Sequence, residues 1–268
     1  MASSAAPAIA SETSLLDVRG LSKHYRGLVA LSDYALSLSP GSIHGVIGPN
    51  GAGKTTLFNL LSGMVRPSSG TIRLLGTEIT SLPAHEVARL GIARTFQNIR
   101  LFDDMSVLDN VKVAVQRRLP GSIWSVIANS RGFRARERQI AARSAQLLEL
   151  VGLGDRTDRL ARSLPYGDQR RLEIARAVAV DPKVLLLDEP NAGMNQSETG
   201  ELLDLIRRLR DELGLTVVLV AHDIPLVMNL CDRIQVLNYG VLIADGDPAT
   251  VRLDPDVIAA YLGQTRHA

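Results

Sequence analysis

Cysteine is almost absent from this chain: of 268 residues one is Cys and one is Trp, and aromatics make up 4 %. A lone Cys231 can form neither an internal disulfide nor a cysteine metal cluster, and in its apolar, helical-looking stretch it reads as a core residue of a reducing compartment. No uninterrupted apolar run approaches the roughly 18 residues that a bilayer crossing needs. Charge of one sign is lacking too: 30 Lys+Arg stand against 28 Asp+Glu, a net +2, which implies no nucleic-acid partner. Internal repeats and sustained heptads are missing. Met1 to Ser14 is rich in Ala and Ser but has no basic start or long apolar centre, so residues 1–14 are expected to be a disordered leader rather than a signal peptide. The chain is expected to stay in the cytoplasm, with 264–268 as a short tail.

What is present is 46 % hydrophobic and 22 % charged residues, enough to bury a large α/β core, alone or with an inserted lobe. Its centre is Gly48-Pro49-Asn50-Gly51-Ala52-Gly53-Lys54-Thr55, between the apolar run Ile43 to Ile47 and the helical-looking segment Thr56 to Met64. This is G-x-x-x-x-G-K-[ST], the phosphate loop. A polyphosphate needs backbone N–H donors at close range, and side chains at Gly48, Gly51 and Gly53 are expected to block that approach. Lys54 is expected to reach the β and γ phosphates and Thr55 to offer a hydroxyl to Mg²⁺. The helix that starts there turns its positive end toward the anion. Leu57, Leu60, Leu61 and Met64 recur at helical spacing and predict one apolar face.

Leu15 to Val18, Tyr34 to Leu38 and Thr71 to Leu75 have β character between turn residues and predict a small antiparallel sheet beside the nucleotide core. Tyr25 falls in the first loop of that stretch, where an aromatic either packs on the surface or stacks on adenine. From about 98 to 165 helical periodicity replaces strand signal, with Ile140, Leu147, Leu148 and Val151 on one face; this predicts an inserted helical lobe. Leu119 to Phe133, with Pro120, Gly121, Trp124, Ile127 and Gly132, leads into a run of arginines. It reads equally as a contact surface for a membrane partner and as a solvated loop and basic helix face. Val184 to Leu187 and Val217 to Val220 are continuous apolar runs, the mark of strands covered on both faces. Glu198 to Leu213 is amphipathic through Leu202, Ile206, Leu209 and Leu213, with Gly214 as its stop. Arg233 to Leu237 and Val241 to Ala244 flank Asn238-Tyr239-Gly240 as a hairpin.

The run Leu185-Leu186-Leu187 ends in Asp188-Glu189, two carboxylates that can divide labour: Asp188 to hold Mg²⁺, Glu189 to orient and deprotonate an attacking water. With these residues the chain resembles the ATP-binding-cassette ATPases from Leu15 to Gly263. Thr95-Phe96-Gln97 is similar to that family's Q-loop, which implies Gln97 near Mg²⁺ and the attacking water. Leu164-Pro165-Tyr166-Gly167-Asp168-Gln169-Arg170-Arg171 is similar to its signature motif, and Asn191 to Asn195 to its D-loop. Ala221-His222-Asp223 is similar to its switch histidine, which implies a contact from His222 to the γ-phosphate, and Tyr25 falls where the family stacks an aromatic on adenine. The resemblance implies a P-loop core of α/β class with an antiparallel β subdomain and a helical subdomain. It implies ATP and Mg²⁺ bound by Tyr25, by Gly48 through Thr56 (Gly48, Pro49, Asn50, Gly51, Ala52, Gly53, Lys54, Thr55, Thr56) and by Gln97 and Asp188. Gly167 is then expected to donate to the ATP of a facing subunit.

Pro165 stands where the general signature has serine, Asp168 where it has glutamine, and Asn195 where the D-loop has aspartate. A carboxylate at 168 adds like charge beside phosphates. These departures, the Arg-Thr-Phe-Gln-Asn-Ile-Arg-Leu-Phe run and the ending Asp-Pro-Asp-Val-Ile-Ala-Ala-Tyr-Leu-Gly resemble the larger ATPase subunit of branched-chain amino acid importers. That implies two permeases, a second similar ATPase, an extracytoplasmic binding protein, and a place on the cytoplasmic face of a bacterial inner membrane. Related importers carry urea or amides. The competing class, a soluble cassette acting on ribosomes or nucleic acid, usually has two cassettes or a coiled-coil insertion, and neither is visible here.

Overall fold

The computed structural model describes residues 14–117 and 131–262. The leader up to residue 13, the insert around Trp124 up to residue 130 and the tail 264–268 lie outside the described residues.

Two sheets carry the fold. A six-stranded sheet has the order β10-β9-β3-β8-β7-β6. Its parallel strands are β6 (Ile92–Arg94), β7 (Val184–Asp188), β8 (Thr216–Val220), β3 (Ile43–Ile47) and β9 (Arg233–Asn238), and the hairpin partner β10 (Val241–Gly246) closes one edge antiparallel. A four-stranded antiparallel sheet has the order β2-β1-β4-β5, built from β1 (Leu16–Tyr25), β2 (Leu28–Leu38), β4 (Ser69–Leu74) and β5 (Thr77–Glu78). The expected antiparallel subdomain is therefore present, with longer strands than the apolar runs alone indicate.

The continuous apolar strands are explained by what covers them. Alternate residues of β3, β7 and β8 enter two separate cores: Ile43, Ile47, Leu185, Leu187, Val217 and Leu219 face the helical side. Val46, Val184, Leu186, Val218 and Val220 face the antiparallel sheet and helix α1 (Lys54–Leu61). Each strand is thus buried on both faces, which accounts for its mostly apolar sequence, with the polar residues His44, Asp188 and Thr216 at or next to strand ends. Gly45 in β3 lets the sheet meet the helix Ile224–Leu230 closely, since an added Cβ would lie 2.5 Å from Val227 Cγ1 and 2.9 Å from Cys231 Sγ. Cys231 caps that helix, buried and unpaired, and burial raises its thiol pKa.

The helical region also forms as expected, through α3 (Val107–Gln116) and α4 (Arg131–Leu150), after α2 (Ala84–Leu90) in the preceding segment. Ile140, Leu147, Leu148 and Val151 are all buried against one core. Two ends of predicted faces differ. Met64 is 50 % exposed because α1 stops at Leu61 and Ser62 caps it, so the apolar spacing outlasts the helix. Leu213 is 38 % exposed as the last residue of the helix Gln196–Leu213, before left-handed Gly214 turns the chain.

Candidate active site

The phosphate loop joins β3 to α1. Its glycines have positive φ, 152° at Gly48, 81° at Gly51 and 104° at Gly53, values that side-chain-bearing residues rarely adopt. A Cβ at Gly48 would lie 2.1 Å from the Leu237 carbonyl oxygen, and one at Gly53 2.6 Å from that of Ala30, whereas Gly51 faces open space. The expected reason for these glycines is corrected here: at Gly48 and Gly53 a side chain would strike the protein's own β9 and β2 before meeting a ligand. The loop is held from outside as well, because the Gly240 N–H donates to the Ala52 carbonyl at 2.9 Å.

Lys54 is 8 % exposed, and its ammonium donates to the carbonyls of Gly48 at 2.6 Å and Pro49 at 2.9 Å. Burial lowers its pKa, while the nearby carboxylates of Glu189 and Asp188 oppose that shift. A buried cation whose hydrogen-bond partners are neutral carbonyls suits an anionic ligand. The first turn of α1 has no acidic residue and leaves its N–H groups without intrahelical acceptors. Thr55 is exposed at that turn. These features fit a nucleotide's phosphates, and Thr55 with Asp188 supplies the hard oxygen donors that Mg²⁺ takes.

Asp188 ends β7 as a buried residue, and its Oδ2 accepts from Arg94 Nη2 at 2.8 Å. Glu189 follows with φ 44°, a strained left-handed conformation that turns its side chain out of the strand direction. Its Oε2 accepts from Gln97 Nε2 at 3.0 Å, and His222 Nδ1 stands 3.9 Å from the same oxygen. Gln97, Glu189 and His222, spaced over more than a hundred residues, therefore meet around one carboxylate oxygen. His222 is mostly exposed. Asn191 joins this edge by donating from Nδ2 to Asp223 Oδ2 at 3.2 Å.

Tyr25 is corrected from loop to strand: it is the last residue of β1, opposite Leu28 in the hairpin. The residue is 42 % exposed, with Lys23 Nζ 5.0 Å from its ring centroid. Gly167 lies in the first turn of α5 (Tyr166–Val178), and its nearest would-be Cβ contact is Glu198 Oε1 at 3.2 Å. Nothing of the phosphate loop is among the nearest atoms. Pro165 is the N-cap of α5, a position proline tolerates. Asp168 forms an ion pair with Arg156, so its charge is answered within the chain. Asn195 caps the helix Gln196–Leu213 in a reciprocal capping box with Glu198.

Two arginines escape a sequence reading. Arg170 is fully buried; it pairs with Glu173 at 2.6 Å and donates to the carbonyls of Phe96 at 2.7 Å, Gln97 at 3.1 Å and Glu189 at 3.3 Å. One guanidinium thus ties the signature helix to the Q-loop and to the backbone of the catalytic candidate. The available signal was a charged pair at i, i+3 on the buried stripe of α5. Burial raises the Glu173 pKa even so. Arg94, at the end of β6, is the other.

Residues 31–192 match the family model described as ABC transporter, more than half of the chain. The chain belongs to the ABC transporter family. Its cassette ends in a stretch, residues 241–267, that matches the model described as branched-chain amino acid ATP-binding cassette transporter. The cassette is 46 % identical to the high-affinity branched-chain amino acid transport ATP-binding protein LivG of Escherichia coli K12, over 93 % of this chain and 98 % of that protein. It is 46 % identical to BraF of Pseudomonas aeruginosa, of the same description, with the same coverage. A crystal structure of an ABC transporter's ATP-binding cassette in its ADP conformation superimposes with a TM-score of 0.81 at 27 % identity, covering 94 % of this chain and 99 % of that one. The ABC ATPase reading of fold and activity stands: this cassette hydrolyses ATP to drive transport. The ribosomal and nucleic-acid alternatives are not favoured by these relatives. Among the described residues no helix is long and apolar enough to cross a membrane.

Proposed function

We propose that this chain is one ATPase subunit of an importer for branched-chain amino acids. It would lie against the cytoplasmic face of a bacterial inner membrane with two permeases, a second similar ATPase and an extracytoplasmic binding protein. Residues 15–263 form one cassette whose helical subdomain, about 98–165, carries the movement to the permeases. The likeness of residues 241–267 and of the whole cassette to branched-chain amino acid transport subunits carries the reading, and the meeting of Gln97 and His222 at the Glu189 carboxylate, beside Asp188 and a buried Lys54, supports its ATPase part.

Gly48 to Thr56 cradle the phosphates through backbone N–H groups, Lys54 supplies charge, and Tyr25 stacks on adenine. Thr55, Asp188 and Gln97 would hold Mg²⁺. Bound there, the metal would neutralise charge developing on the phosphate oxygens. Glu189 accepts the proton of the attacking water, with Gln97 fixing its carboxylate and His222 contacting the γ-phosphate. Gly167 serves the nucleotide of the facing subunit; the nearest atoms to a Cβ built there are all of Glu198 and none belongs to its own phosphate loop, which supports that role.

Reconstitution with the native permeases tests the assignment. ATP hydrolysis should rise when the binding protein is loaded with leucine, isoleucine or valine, and stay basal with urea or an amide. Stimulation by urea alone would move the subunit to the related importers.

A further inference from the structure

Arg94 holds a position that none of the motifs explains. It ends the edge strand β6, in register with Leu186 of β7, and its guanidinium bridges two elements. Nη1 donates to Asn59 Oδ1 at 2.7 Å and to Ser62 Oγ at 3.2 Å, both on or capping α1, while Nη2 donates to Asp188 Oδ2 at 2.8 Å. The rings of Phe58 and Phe96 lie 5.5 and 5.4 Å from it. The side chains of Arg94 and Asp188 are only 7 % and 10 % exposed, and Arg94 Nε is buried without a partner. An ion pair so far out of water is not held for stability alone, because desolvating both charges offsets much of their attraction.

We propose that Arg94 is a positioning residue for the metal side of the site: it clamps Asp188 to the phosphate-loop helix, commits one carboxylate oxygen and leaves the other for Mg²⁺. The inference rests on the reading of Asp188 as a metal holder. Asn59 lies four residues after Thr55, on the same face of α1, so the brace spans the two elements that carry Thr55 and Asp188. A rigid planar fork can fix that spacing, and a lysine's single ammonium cannot. Glu189, one residue on, receives no such clamp; its side chain is 22 % exposed and its carboxylate accepts from the Gln97 amide. The opposing effect is electrostatic, since a guanidinium beside a cation site weakens the cation. The two effects predict opposite signs.

The test is the ratio of ATP dissociation constants in EDTA and in excess Mg²⁺, measured by calorimetry on the full chain. Arg94→Met should leave the EDTA value within about two-fold of wild type and cut the Mg²⁺ gain by about 10- to 100-fold, the usual cost of losing a residue that orients a metal ligand. Arg94→Lys should behave like Arg94→Met. An unchanged gain, a larger one, or full rescue by lysine would overturn the brace, the larger gain in favour of simple charge repulsion. If Arg94→Met does not fold, Asn59→Ala combined with Ser62→Ala removes both helix-side acceptors of the brace and keeps the ion pair; a few-fold loss of the Mg²⁺ gain supports the proposal and no loss refutes it. Asp188→Asn separates the two levels. If it keeps the Mg²⁺ gain, Asp188 is no metal holder and both readings fall. If it loses the gain while Arg94→Met retains it, the brace alone falls.

Discussion

The phosphate-loop face and the signature face of this cassette treat charge in opposite ways. On the first, the hydrogen-bond partners of the Lys54 ammonium are two carbonyls of its own loop, and the helix it begins has no acidic residue in its first turn. On the second, Asp168 is answered by Arg156, Arg171 by Glu201, Arg170 by Glu173, and Glu198 closes a capping box. One face holds a buried ammonium whose hydrogen bonds go to neutral carbonyls, which suits an anion. The other is balanced within the chain and offers backbone at Gly167. Burial lowers the Lys54 pKa on the first face, whereas the charges on the second are answered by partners within the chain.

The comparison is broken or sharpened first by Glu189→Gln, which should separate binding from chemistry on the phosphate-loop face. Glutamine is nearly isosteric, so ATP should still bind while hydrolysis falls by about 10²- to 10⁴-fold. Wild-type turnover would remove Glu189 from the mechanism.

His44 offers the next contrast, since it lies in β3, the strand that leads into the phosphate loop, and burial disfavours its charged form. Its pKa is lowered to about 4, with Asp245, Asp232 and Arg233 acting on it from nearby. The unfolded imidazole takes its proton near the usual 6.5 and the folded one only near 4, so the unfolded state binds more protons in between. This contribution is complete above that window and is lost as pH falls through it. His44→Leu should therefore flatten the acid limb of a stability–pH profile, by about 2 kcal/mol at about pH 5. Parallel profiles for mutant and wild type would contradict the buried, neutral assignment.

Tyr25→Ala should weaken ATP affinity by about 1 kcal/mol with little change at saturating ATP, and an unchanged dissociation constant would make Tyr25 a surface residue. The smallest effect is expected on the signature face. Arg156→Ala leaves Asp168 uncompensated and should weaken ATP-dependent dimerisation by up to about five-fold, scaled from the modest worth of partly exposed ion pairs. Adding Asp168→Asn should restore it. No loss in the single variant would show that the Asp168 charge does not face phosphate.

Most of this site was legible from the residues because the phosphate loop, the strand ending in Asp188-Glu189 and the apolar runs are local patterns with local causes. What escaped is non-local. Arg94 and Asp188 are brought together across 94 residues, and Arg170 reaches Gln97 across 73, so neither contact leaves a periodic trace. Met64 and Leu213 show another limit, since apolar spacing continues past the residue where a cap ends the helix. Asn195 could be matched to a D-loop by position, yet its hydrogen bonds are those of a helix cap.

The central claim is that each ATP lies between the phosphate loop of one chain and the Gly167 segment of another, and complementation tests it directly. Lys54→Ala disables a chain's own loop, and Gly167→Asp places a carboxylate where backbone must approach, against Glu198 as well; matched melting curves with wild type establish that the second variant folds. Self-association is checked first as ATP-dependent dimerisation of Glu189→Gln. Each variant alone should be inactive. Mixed, half the dimers should be hybrids with one intact site of two, and activity should recover to at most about a quarter of wild type. An active Gly167→Asp homodimer would contradict the shared site.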